Sequence, residues 1–111
     1  MSTSDVIQAQ LDAYNAQDVE AFLKSYAPNA VLAVLNGDVL AEGTEAIRAR
    51  HVTLFKMHPQ NKATLVNRVV IGESHVIDHE DVERAPGGDR FQVAAIYTLT
   101  DGLIARVDFA R

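Results

Sequence analysis

Two periodicities divide this sequence, and the order in which they come restricts the fold more than any other feature. Up to Pro59 the apolar residues recur at helical spacing, apart from one short β-prone stretch; from Ala63 onward they alternate every second residue. Ser4 or Asp5 is placed to cap a first helix carrying Val6, Ile7, Leu11 and Tyr14 on one face and ending near Asn15-Ala16. Asp18 caps a second, with Val19, Phe22, Leu23 and Tyr26 as its stripe, and Pro28 bars its continuation. Residues 30–35 and 39–41 then read as a small hairpin around Asn36-Gly37-Asp38, because Asn-Gly tolerates positive φ. Thr44 caps a third helix bearing Ile47, His51, Leu54 and Phe55, stopped by Pro59. Four strands follow at residues 63–71, 75–84, 90–100 and 103–110, separated by turn formers at 72–74, 85–89 and 101–102. Helices gathered first, strands gathered last and no repeated βα unit indicate an α+β fold in which an antiparallel meander packs against three N-terminal helices. One domain spanning residues 1–111 is expected.

Tight turns carry this further, since they set which residues face each other. A two-residue turn at Asp101-Gly102 pairs Thr100 with Leu103; a similar turn at Glu73-Ser74 pairs Gly72 with His75 and sets Asn67 opposite Glu80 and Val69 opposite Asp78. One face then collects Leu65, Val69, Ile71, Val76, Val82, Ala94, Ile96, Val107 and Phe109 as the core side. The other carries Arg68, His79, Asp81, Tyr97, Arg106 and Asp108, a mixed surface suited to solvent or a second subunit.

Composition excludes several functions. Fifteen acidic against ten basic residues leave a net charge of -5, so sequence-independent binding to nucleic acid would work against the field of the whole chain. The absence of cysteine removes disulfides, thiolate nucleophiles and zinc-thiolate sites together. No stretch approaches the roughly 18 apolar residues that a membrane span needs, and the first residues lack the pattern of a signal peptide, so no membrane partner and a cytoplasmic location are expected. No Gly-rich phosphate loop, Ser-His-Asp arrangement or paired-histidine motif is present, and no cofactor is expected.

Four stretches are recognisable together: Tyr14-Asn15-Ala16-Gln17-Asp18 joining the first two helices, Tyr26-Ala27-Pro28-Asn29-Ala30-Val31 leading into the first strand, Gly43-Thr44-Glu45-Ala46-Ile47-Arg48 opening the third helix, and Thr100-Asp101-Gly102-Leu103-Ile104 before the last strand. In order and spacing the chain resembles the nuclear transport factor 2-like superfamily, especially its SnoaL-like and ketosteroid isomerase-like branches. The resemblance implies a cone-shaped curved sheet closed by helices, a cystatin-like roll, with an apolar pocket for a small hydrophobic or cyclic molecule. It also implies a homodimer through the outer face of the sheet. The catalytic set of ketosteroid isomerase does not carry over: its tyrosine falls on Gln10, its base near Val34 and its second aspartate near Ala94 or Ala95. The limonene epoxide hydrolase branch is nearer in spacing, but Asp78 stands for its arginine, Glu80 for its first aspartate and Phe109 for its second.

What the residues themselves leave is a carboxylate pair. Asp78 and Glu80, two apart on one strand, project from one face, where burial and like-charge repulsion raise at least one pKa and suit a general acid or base. The competing reading has both satisfied by Asn67, Gln92 or helix groups. Tyr14, Tyr26, His51, Asn67, Val107 and Phe109 are the expected lining of the substrate pocket, with His51 either paired to a pocket acid or held as a helix histidine. His79 turns away from its two acidic neighbours, so the three cannot grip one metal from a regular strand. Acid-base chemistry without a cofactor, of isomerase, cyclase or hydrolase type, is the leading reading; a non-catalytic ligand-binding or protein-association module, with the cone fully packed, is the alternative.

Overall fold

A computed structural model describes residues 2–111. Helix α1 (Thr3–Ala16) buries Val6, Ile7, Gln10, Leu11 and Ala13 on one face, and the short α2 (Val19–Leu23) buries Phe22 and Leu23. Strands β1 (Tyr26–Val34) and β2 (Val39–Glu42) precede helix α3 (Thr44–Met57), which turns Ile47, His51 and Phe55 inward at intervals of four. Strands β3 (Lys62–Ile71), β4 (His75–Glu83), β5 (Arg90–Thr100) and β6 (Leu103–Ala110) complete one six-stranded sheet in the order β2-β1-β6-β5-β4-β3.

The α+β class and helices-first order hold, with a six-stranded sheet against N-terminal helices. Four local expectations are corrected. The cap of α1 is Ser2, not Ser4 or Asp5: its hydroxyl accepts from the Asp5 backbone N–H while the Asp5 carboxylate accepts from that of Ser2, a reciprocal box that starts the helix earlier by less than a turn. Tyr26 belongs to β1 rather than to the second helix, and the strand runs through Pro28. Gly43 rather than Thr44 occupies the cap of α3, and the Thr44 hydroxyl donates instead to the Pro28 carbonyl. The sheet is not wholly antiparallel, because β1 pairs with β6 in parallel, the chain having crossed from one side of the molecule to the other in between.

Register is corrected in two places. Asp101 and Gly102 both adopt positive φ and pair Thr100 with Leu103 as expected. Beyond them, however, a bulge leaves Ala105 unpaired, so that Thr98 meets Arg106 and Tyr97 meets Val107. Ala95, Tyr97 and Leu99 therefore face the core, and Ala94 and Ile96 do not. At the other hairpin three residues turn rather than two: Ile71 pairs with His75, which places Arg68 opposite Asp78 and Asn67 opposite His79. Val69 and Ile71 are exposed on the outer face, and Arg68 moves from the outer face to the inner one. The inward set of β4 is as expected, with Val76, Asp78, Glu80 and Val82 all buried.

Helix α1 packs over β3 and β4, and α3 over β1 and β2. The largest core cluster joins Ile7, Phe22, Leu32, Ile47, Val76 and Ile104, and a smaller one joins Leu11, Ala63, Val82 and Val93. Tyr14 and Phe109 pack against both clusters. Asn15 fixes the end of α1 to β3 by a reciprocal pair, donating to the Ala63 carbonyl and accepting from its N–H at 2.9 and 2.8 Å. The two helices thus lie over opposite sides of the sheet and meet through Tyr14 against Phe55 and His51.

Candidate functional site

The space between α1, α3 and the inner face is a cavity of about 930 Å³. Its wall is mostly apolar, with Phe22, Leu32, Leu54, Val82, Val93 and Phe109 among its members, and Glu80 is the one acidic side chain in it among the described residues. That composition, large apolar surface with a few polar groups converging on it, is the usual make-up of a small-molecule site.

Strand alternation puts Glu80 in the cavity wall between Val82 and the deeper Asp78. Glu80 is 7% exposed; no protein group among the described residues hydrogen-bonds to it, and its carboxyl oxygens open onto the cavity, since no fully buried polar side-chain atom is left without a partner. Burial, then the charge of Asp78, push its carboxyl up to about 7, against a smaller opposing pull from Arg68. Asp78 is 0% exposed and does not reach the cavity wall. Arg68 grips it from β3 with two parallel bonds, Nε to Oδ1 at 2.7 Å and Nη2 to Oδ2 at 2.9 Å, while Nη1 donates to Gln8 on α1 at 3.0 Å. Such a bidentate contact, made from one side by Arg68, fixes the Asp78 side chain in position; the neighbouring Glu80 has nothing comparable. The pair that looks symmetric in the sequence is therefore split into one locked carboxylate and one free to take up or release a proton near neutrality.

Three phenols surround the cavity. Tyr26 Oη donates to Gln10 Oε1 at 2.9 Å, and Gln10 Nε2 donates to Tyr97 Oη at 3.2 Å. On the other side Arg84 Nη1 donates to Asn61 Oδ1 at 2.8 Å, and Asn61 Nδ2 donates to Tyr14 Oη at 2.7 Å. Tyr97 and Tyr14 each end a relay as acceptors, so each keeps its own proton for a further acceptor. Burial raises both phenols above their ordinary pKa and keeps them protonated. His51 is depressed by burial, partly offset by its contact with the Ile47 carbonyl, to which Nδ1 donates at 2.8 Å. The neutral ring stacks beside Phe22, 4.4 Å between centroids, and leaves Nε2 as an acceptor.

Of the eight residues expected at the site, Glu80, Tyr14, Tyr26, His51 and Phe109 line the cavity together. Asp78 and Val107 lie fully buried behind the wall, and Asn67 is exposed on the opposite face beside His79, a consequence of the three-residue turn. His51 bonds to its own helix and not to a pocket acid. The residues missed are Gln10, Arg68, Arg84 and Tyr97. Gln10 carried a signal, being a polar side chain on the buried face of α1; Tyr97 and Arg68 were hidden by the bulge and the turn.

The family model for the SnoaL-like domain matches residues 7–107. Among solved structures, an uncharacterised cystatin-fold protein from Novosphingobium aromaticivorans is 32% identical, with a TM-score of 0.94 over 100% of this chain and 99% of that one. A protein from Sinorhizobium meliloti described as a candidate polyketide cyclase is 24% identical, with a TM-score of 0.81 over 99% of this chain and 100% of its own. A candidate ketosteroid isomerase from Kribbella flavida is 15% identical, with a TM-score of 0.81 over 96% of this chain and 75% of its own. No curated protein matches the chain.

Proposed function

Since the chain belongs to the SnoaL-like domain family, we propose that its cavity binds a small hydrophobic or cyclic metabolite and moves a proton on it without a cofactor, with Glu80 as the base. The observation that carries this reading is the cavity-facing Glu80 carboxyl, buried, unpaired and poised near neutral pH. A base of that pKa is strong enough to accept a proton from an activated carbon and weak enough to return it. Tyr97 and Tyr14 supply the complementary part, since their remaining protons can donate to an oxygen on which negative charge develops. Asp78 is a positioning residue: held by Arg68, it acts on Glu80 through charge and not on the ligand. The cavity volume favours a ligand site over the fully packed alternative. The descriptions of the Sinorhizobium and Kribbella proteins are consistent with a cyclic ligand. Two copies associating through the outer face of the sheet remain part of the proposal.

The test needs no natural substrate. 5-Nitrobenzisoxazole reports base strength in apolar sites: loss of its ring C–H proton to a base opens the N–O bond and releases a coloured phenolate. We expect the chain to accelerate this elimination with a rate that rises with pH about a midpoint near 7. Glu80→Gln should lower the rate at least about 100-fold. A rate unchanged in Glu80→Gln, in a variant that keeps the native circular dichroism, would reject Glu80 as the base.

A further inference from the structure

The seven arginines of the chain fall into two groups. Arg48, Arg68, Arg90 and Arg106 are each paired with a carboxylate. Arg50, Arg84 and Arg111 have no carboxylate partner among the described residues, and these three are the arginines that line the cavity. In a chain with five more acidic than basic residues, the arginines without a carboxylate partner are thus the ones in the cavity lining, and the paired ones lie outside it. Two of the three are also held in position. Arg84 and Arg111 both lie over Phe91, at 4.8 and 3.7 Å from the ring centroid, and Arg84 is tethered through Nη1 to Asn61. Asn61 and the nearby Tyr14 hydroxyl engage only part of that five-donor fork. Phe91 and Arg84 belong to the same end of the site: Phe91 pairs with Val82, and Arg84 follows two residues beyond on β4. Glu80 lies four residues back along the same strand, roughly 13 Å in an extended chain. Arg84 and Arg111 therefore meet over Phe91 at one part of the cavity wall, separate from Glu80.

We propose that the ligand is an apolar carboxylic acid in its ionised form, with its ring or hydrocarbon portion in the cavity and its carboxylate on Arg84 and Arg111. This specifies the substrate class of the site and rests on the reading that the cavity holds a ligand, though not on Glu80 being a base. Guanidinium forks match a carboxylate in shape, and in a partly enclosed site each charge-assisted contact outweighs a neutral one.

The experiment compares two probes of one shape, 2-naphthoate and 2-naphthylmethanol, by titration calorimetry at low salt. We expect 2-naphthoate to bind at least about tenfold more tightly. That preference should shrink as potassium chloride is added and fall to near unity in the double variant Arg84→Gln, Arg111→Gln. Binding of 2-naphthylmethanol should survive in the double variant, which shows that the cavity is intact. If it does not, the single variant Arg111→Gln, which leaves Asn61 and Tyr14 undisturbed, decides by losing part of the preference. Arg48→Gln, on an exposed ion pair, should keep all of it. Equal or tighter binding of the alcohol, a preference that persists without the two arginines, or binding of neither probe would overturn the proposal. Glu80→Gln separates this from the acid-base reading: it should slow the elimination described above at least about 100-fold, while the preference for 2-naphthoate stays as large or grows, a negative charge having left the cavity.

Discussion

Glu80 costs the fold something, and that cost is measurable. Its carboxyl is pushed from 4.5 to about 7 by folding, so between those pH values the folded chain keeps a proton that the unfolded chain releases. Stability conferred by the protonated form is complete below 4.5 and declines as pH rises through 7, reaching a loss of about 3 kcal/mol by pH 8. Glu80→Gln, which carries no proton to lose, should therefore unfold at higher denaturant than the parent at pH 8 and at a similar concentration at pH 4.5; urea titrations at the two pH values would show it. A variant that is less stable at pH 8 would contradict an unpaired, destabilising Glu80 carboxylate. At this scale the sequence was informative about direction and silent about partners. Alternation along β4 was enough to turn Asp78 and Glu80 inward, whereas Arg68 reaches Asp78 only because Ile71, and not Gly72, pairs with His75.

Elements were legible where a local signal sets them and illegible where one residue shifts the pattern. The turn at Asp101-Gly102 was found from its residue types, since both positions take positive φ. The bulge at Ala105 carries no such signature, and its effect is to exchange Tyr97 for Ile96 on the inner face. Turn geometry alone thereby turns Tyr97 to the outer surface, although it closes the relay from Tyr26 through Gln10. Helix starts were similarly ambiguous, because Ser2, Ser4 and Asp5 all resemble caps. The structure selects Ser2, so Ser2→Ala should cost about 1 kcal/mol in chemical denaturation and Ser4→Ala close to nothing. The reverse order would place the helix start where the pattern alone suggested.

For the whole molecule, the same pleat that buries Asp78 and Glu80 exposes an apolar row on the other side. Val69, Ile77 and Ile96 lie side by side across β3, β4 and β5, with Val69 45% exposed. A second copy covering this row would shield it from water. Light scattering should give the mass of two chains for the parent and of one for Ile77→Lys; a parent of single mass would end the dimer proposal. The helical and strand layers follow from the order of the two periodicities, but the cavity does not, because it depends on where α1 packs over β3 and β4 and α3 over β1 and β2. Inside that cavity the account turns on one titration. Carbon-13 NMR of the glutamate side-chain carboxyls across pH 3 to 10, with the Glu80 signal identified by its disappearance in Glu80→Gln, reads it directly. A midpoint near 7 agrees with a buried, unpaired carboxyl facing the cavity. A midpoint near 4.5 would leave the cavity without its base.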